Sequence, residues 1–230
     1  MIPTVDGSSS PSELEGALVV DFPLRGEWMA VHSPGSKIPS HGTDMLGQRY
    51  AFDLIRFDPD RNGRYHPAGG LRALLLGVPT RECHGWGEPV HAPLDGVVVA
   101  ARDGLPERAR IHPLRELALV LKTGVTFRPT SEGLHRVLGN HVILRCAEAY
   151  AGFAHLTTGS VAVTPGQVVH EGDMLGRVGH TGNSTAPHLH FQLMTASEDG
   201  ITKRSFPFEL AIARRRSSPP VQGQRYTAWE

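Results

Sequence analysis

Apolar residues in this chain come in short alternating runs rather than long helical stripes. The runs 17–22, 28–32, 50–57, 96–101, 141–146, 150–155, 167–169 and 189–194 are rich in β-branched, aromatic and small apolar side chains, and Gly, Pro, Asn or Ser punctuates the stretches between them. Such runs predict strands. Many short strands with turn signals between them predict an all-β fold, an antiparallel sandwich or barrel. One helical stretch is expected over 106–121, broken near Pro113 because proline cannot sit inside a helix without losing a hydrogen bond. Two segments interrupt the β rhythm. Residues 61–87 are Gly-rich and irregular, and 105–138 hold the expected helix and a loop. Insertions of this length in a compact domain are usually functional, so both are expected to wall a substrate groove.

Composition narrows the picture by exclusion. The chain has 230 residues, 40% hydrophobic and 20% charged, ordinary for a globular protein with one core. Lys+Arg and Asp+Glu are equal at 23 each, so no net charge draws the chain to nucleic acid or to an anionic membrane. No run approaches the roughly 18 apolar residues of a membrane span. The first residues lack a basic start followed by an apolar run, so no secretory leader is read there and a cytoplasmic location is expected, with export by an unread route as the alternative. Residues 1–15 are rich in Ser, Pro, Gly and acids and are expected to be a disordered tail. The folded domain is expected over 16–210 and a C-terminal tail over 211–230, with Arg214-Arg215-Arg216 a solvated basic run. Cys83 and Cys146 are too few for a disulfide framework and read as buried or idle thiols. Oligomeric state has no signature.

Histidine is the unusual component, at 13 residues, too many for a count to identify a site. Position is more informative. In Ala186-Pro187-His188-Leu189-His190-Phe191 a turn leads into an apolar run. Residues two apart on a strand share a face, so His188 and His190 project together while Leu189 and Phe191 face the core. Paired imidazoles on one face are a natural start for a metal site. A catalytic zinc takes three protein ligands and keeps one position open. Asp53 is the strongest carboxylate candidate, because it lies alone in the apolar run 50–55, where an unpaired acid is costly. His41 precedes it in a polar loop, and His155 ends another apolar run.

These pieces together resemble the lysostaphin/LytM-type zinc endopeptidases, which cut peptide bonds in the bacterial cell wall. The resemblance runs over about residues 16–195. It is carried by Gly87-Glu88-Pro89-Val90-His91-Ala92-Pro93-Leu94-Asp95-Gly96, Gly139-Asn140-His141-Val142, Ala154-His155-Leu156, the stretch from Val163 to Gly179, Thr181-Gly182-Asn183-Ser184, and His188-Leu189-His190. It implies a compact antiparallel β-sandwich of the duplicated hybrid motif type, with a groove across one sheet. It implies one Zn2+ per chain held by His41, Asp53 and His190, with His155 and His188 as catalytic residues that move protons and stabilise an oxyanion. The implied substrate is a peptide, a stem or cross-link of peptidoglycan. In typical members the first ligand His lies four residues before the ligand Asp. Here Arg49 holds that place and His41 lies twelve residues before Asp53. Either a spacer of eight extra residues separates the two ligands, or Asp44 replaces Asp53; the apolar run around Asp53 favours the former. Two rival readings are a non-catalytic regulator on the same fold and a phosphocarrier using paired histidines. The full set of ligands and catalytic histidines argues against the first, and the Asp with Pro-His-x-His against the second.

Overall fold

Eight of the alternating runs form strands: β1 (Leu18–Asp21), β2 (Gly26–His32), β3 (Phe52–Ile55), β6 (Gly96–Arg102), β8 (Asn140–Cys146), β9 (Ala149–Leu156), β10 (Val168–Val169) and β12 (Leu189–Met194). This computed structural model describes residues 18–58, 64–146 and 149–195, together with the backbone of β13 (Phe208–Ala211) and β14 (Arg225–Ala228). The tail expected over 1–15 and the run Arg214-Arg215-Arg216 lie outside the described residues. Within the stretch expected to be a C-terminal tail, Arg225–Ala228 is a strand. Four more short strands complete the set: β4 (Val78–Pro79), β5 (Pro89–His91), β7 (Arg110–Ile111) and β11 (Met174–Arg177).

One eight-stranded sheet dominates, in the order β10-β6-β8-β9-β12-β3-β2-β14, antiparallel at every pairing. The all-β antiparallel fold is therefore as expected. Phe52 and Leu54 of β3, Val142 and Leu144 of β8, Ala151 and Phe153 of β9, and Leu189, Phe191 and Leu193 of β12 form one buried cluster. This is the period-2 alternation of a sheet packed on one face. Covering that face are Phe22, Leu24, Val90, Ala92, Leu175 and Val178, from or beside β1, β5 and β11. Among the described residues this second layer consists of two-stranded pieces, β11 with β5 antiparallel and β1 with β13 parallel, rather than a second large sheet.

The helices depart from expectation. The predicted helix over 106–121 is instead α2 (Pro113–Thr126), and Pro113 opens it rather than breaking it. Proline suits the first turn because its missing N–H has no intrahelical partner there. A second helix, α3 (Ser131–Leu138), follows, its first turn capped by Thr130 Oγ1, which accepts from the Gly133 amide. The segment expected to be irregular over 61–87 contains α1 (Gly70–Leu76). It does not line the cavity beside the candidate site. Its Ala73, Val78 and Cys83 pack with Ile111 into a small separate core, flanked by Tyr65, Ala68 and Trp86. Among the described residues of the two insertions, those of α3 line the cavity. Cys83 and Cys146 are both buried and unbridged, as expected.

Candidate metal centre

The sheet face opposite the main core carries the candidate site residues. In β12, Leu189, Phe191 and Leu193 take the core side, which leaves His188, His190 and Gln192 on the other. In β3 the same alternation leaves Asp53 between Phe52 and Leu54. Register then does the rest: His190 stands directly opposite Asp53 on one side and Ala154 on the other.

Asp53 is the hub. Its Oδ1 is 2.8 Å from His190 Nδ1 and 3.4 Å from His188 Nε2, and its Oδ2 is 3.0 Å from His41 Nε2. One ligand atom each from His41, Asp53 and His190 lies within 4.8 Å of the other two. Asp44, the alternative carboxylate, points away and is paired with Arg49 at 2.9 Å in solvent. The long spacer is accommodated by a pinch. The Ser40 amide donates to the Arg49 carbonyl at 2.9 Å, so residues 41–48 loop out from a closed base and return His41 to the end of β3.

Both imidazoles of the trio are oriented from behind. Ser40 Oγ lies 3.0 Å from His41 Nδ1, and Gln192 Oε1 lies 2.8 Å from His190 Nε2. Gln192 is fixed in turn by donating Nε2–H to the Leu46 carbonyl at 2.8 Å. The nitrogens left facing one another across Asp53 are His41 Nε2 and His190 Nδ1. Two imidazoles, each held from outside, and a carboxylate match the donor set and the outer hydrogen bonding that zinc sites use. The residues therefore fit the metal that the sequence implied.

His155 and His188 sit beside this trio. Their rings are 4.8 Å apart, and the His155 ring is 5.9 Å from that of His190. A regular β9 would turn His155 into the core, because its neighbour Ala154 shares the face of His190. Instead His155 has φ of +65°, and the register with β8 slips between Asn140 and Val142. Leu156 drops into the core and the His155 ring stays on the site face. Bulges of this kind occur next to active sites, and positive φ at a non-glycine residue costs on the order of 1–3 kcal/mol. His155 Nδ1 donates to the Thr181 carbonyl at 3.0 Å, and His188 Nδ1 donates to the Ala186 carbonyl at 2.7 Å. Both rings are thereby held with Nε2 as the remaining nitrogen.

The turn that supplies these carbonyls is clamped from two sides. Gly139 and Gly182, both at φ of +68°, lie so close that a Cβ on Gly182 would be 2.4 Å from the Gly139 nitrogen. Arg108, from the second insertion, donates to the Gly182 carbonyl at 2.9 Å and the Ser184 carbonyl at 2.7 Å, and pairs with buried Glu116 of α2 at 3.0 Å.

Electrostatics follow from this crowding. Burial alone would raise the Asp53 pKa; the charge of His188 and hydrogen bonds from His188, His190 and His41 overcome it and hold the carboxyl well below the usual range. Burial pushes His155 well below the ordinary histidine value, with further lowering from His188 and His190. His41 is lowered, chiefly by burial.

All five residues singled out in the sequence are therefore brought together. Those missed are Gln192, Ser40, Arg108 and His32, whose ring is 5.0 Å from that of His41. Gln192 was within reach of the same period-2 argument that paired His188 with His190. The others hold their places through tertiary contacts with no local sequence signal.

The sequence profile of peptidase family M23 matches residues 121–201. The peptidoglycan DD-endopeptidase ShyA of Vibrio cholerae is 28% identical over 118 residues, which are 48% of this chain and 27% of that protein. The chain thus matches about a quarter of the length of this relative. Among solved structures, the catalytic domain of lysostaphin from Staphylococcus simulans is 18% identical with a TM-score of 0.38, over 86% of this chain and 95% of that one. A zinc-containing peptidase from Vibrio cholerae is 19% identical with a TM-score of 0.32, over 67% and 48%. The stretch from within α2 through the His188-Leu189-His190 strand is thus similar to peptidase family M23.

Proposed function

We propose that this protein is a zinc-dependent endopeptidase acting on peptidoglycan peptides. The observation that carries the reading is the convergence of His41, Asp53 and His190 on one point, with two further histidines beside it. His41 Nε2, Asp53 and His190 Nδ1 would hold the ion. A bound zinc ion would supply Lewis-acid chemistry, acidifying a water towards a pKa of about 7 and polarising the scissile carbonyl.

The chain's own residues do the rest. Asp53, ionised throughout the working range, adds negative charge to the ligand set. Ser40 and Gln192 fix the two imidazoles. His155 and His188 present Nε2 beside the reacting centre, since their Nδ1 hydrogens are tied to the carbonyls of Thr181 and Ala186. One accepts the proton of the attacking water, and the other stabilises the oxyanion or protonates the leaving amine. Action on the mature wall requires the exported of the two locations raised by the sequence. No helix among the described residues is long and apolar enough to cross a membrane.

The test is zinc analysis coupled to digestion of purified peptidoglycan and of a panel of Gly- and D-Ala-containing peptides. One zinc per chain with new amine termini is the expected result. Stoichiometric zinc with no cleavage of any substrate would instead favour the non-catalytic regulator.

A further inference from the structure

Beside His190 the sheet face is hollow. The floor is low because Gly152 and Ala154 occupy β9 where β8 and β12 carry larger side chains. The walls are Ile143 and Met194 from the sheet and Leu134 and Leu138 from α3. The hollow is about 180 Å3, open to one side, and it begins at His190 and Gln192, at the edge of the metal centre. Its far rim is different in character. Arg102 stands opposite His141 in the β6–β8 register, and both line the cavity with His135. Arg102 is exposed and makes no hydrogen bond or ion pair among the described residues, and His135 Nδ1 is buried without a hydrogen-bond partner.

We propose that this cavity is a subsite for an apolar substrate side chain, and that Arg102 anchors a carboxylate just beyond it. The apolar lining excludes a charged or strongly polar side chain, which would lose its hydration without replacement. Arg102 lacks the carboxylate partner that guanidinium groups take with paired hydrogen bonds. Spacing fits a peptide. His190, Ala154, His141 and Arg102 run across four adjacent strands, so the metal edge and the cation are three strand spacings apart, ~14 Å. That is about four residues of extended chain. The bound peptide thus carries an apolar residue next to the cleaved bond and a carboxylate two or three residues on, either its own C-terminus or an acidic side chain. The inference rests on the peptidase reading for the peptidic nature of the ligand.

Calorimetry on the metal-free protein tests this without requiring turnover. The probes are Gly-Gly-Leu-Ala-Ala as free acid, the same peptide as its C-terminal amide, the amide with the last Ala replaced by Glu, and the free acid with Leu replaced by Gly. Leu is expected to improve binding at least tenfold over Gly, and a carboxylate tenfold over the plain amide; whether the free acid or the Glu amide shows that gain identifies its source. Arg102→Gln should erase the carboxylate gain and leave the Leu gain, and Leu134→Ser the reverse. Both positions lie at the surface of the fold, and circular dichroism checks that each variant is folded. Equal binding of all four peptides, or no binding of any, overturns the subsite. Cleavage by the zinc-loaded protein without this selectivity would retain the peptidase and sink the subsite; selectivity without cleavage would do the opposite.

Discussion

The Ser40 amide donates to the Arg49 carbonyl at 2.9 Å, and Ser40 Oγ donates to the Gln48 carbonyl at 3.0 Å. These two bonds make Ser40 and Arg49 structural neighbours and turn the eight residues between them into a closed loop. The loop then acts on the site it interrupts. Its Leu46 carbonyl holds Gln192, which holds His190. Gly47 makes this approach possible: a Cβ there would lie 2.8 Å from Met194 Cγ and 3.2 Å from Gln192 Nε2, at φ of +75°. Gly47→Ala should therefore weaken zinc binding by roughly 10- to 100-fold, the usual cost of disturbing a ligand's outer hydrogen bond. Competition against a chromophoric chelator measures it, and an unaltered affinity would show that the loop is a passive insertion.

The carboxylate assignment is tested by a pair of variants. Asp53→Asn should lose stoichiometric zinc, because Asp53 alone contacts all three neighbouring histidines. Asp44→Asn should keep it and lose only a surface pair with Arg49, worth ~0–1 kcal/mol. Metal content of the two purified proteins decides, and zinc loss confined to Asp44→Asn would reverse the assignment.

Much of this was readable in the residues. The alternation at 189–194 places His188 and His190 on one face, and the lone acid in 50–55 marks Asp53, because burial and period-2 geometry are local properties of a strand. What sequence does not display is register and backbone exception. Nothing local says that Asp53 stands opposite His190. The arrival of the His155 ring on the site face depends on a positive φ and a bulge, neither of which a histidine advertises. Pro113 opens a helix rather than breaking one because proline suits either place, and only the position of the first turn distinguishes them.

The two thiols offer a check on the fold away from the metal. Burial pushes Cys83 and Cys146 up to about 12. Only the thiolate is nucleophilic, so the native protein at pH 8 should take up no alkylating reagent in the time that denatured protein takes up two equivalents. Mass spectrometry after iodoacetamide treatment reads this directly. Fast labelling of Cys83 would mean that the small core under the first insertion opens readily.

His155 joins a positive φ and burial with the catalytic role proposed for it. Asparagine tolerates positive φ better than other non-glycine residues, so His155→Asn should fold, keep zinc and lose turnover by about two orders of magnitude or more. The metal-free proteins should differ in their pH dependence. Above pH ~6.5 His155 is neutral in both the folded and the unfolded chain and contributes no difference. As pH falls below that value the unfolded chain gains a proton at His155, while the folded chain, whose pKa is lowered by burial, does not. Folding is therefore weakened in that window by at most about 1.4 kcal/mol per pH unit, until the folded pKa is reached. Asparagine titrates in neither state. The variant should gain stability relative to the parent as pH drops from 7 to 5, measured by urea unfolding with chelator present. A constant difference across that range would show that His155 is not held neutral by its burial, and undamaged turnover would remove it from the chemistry.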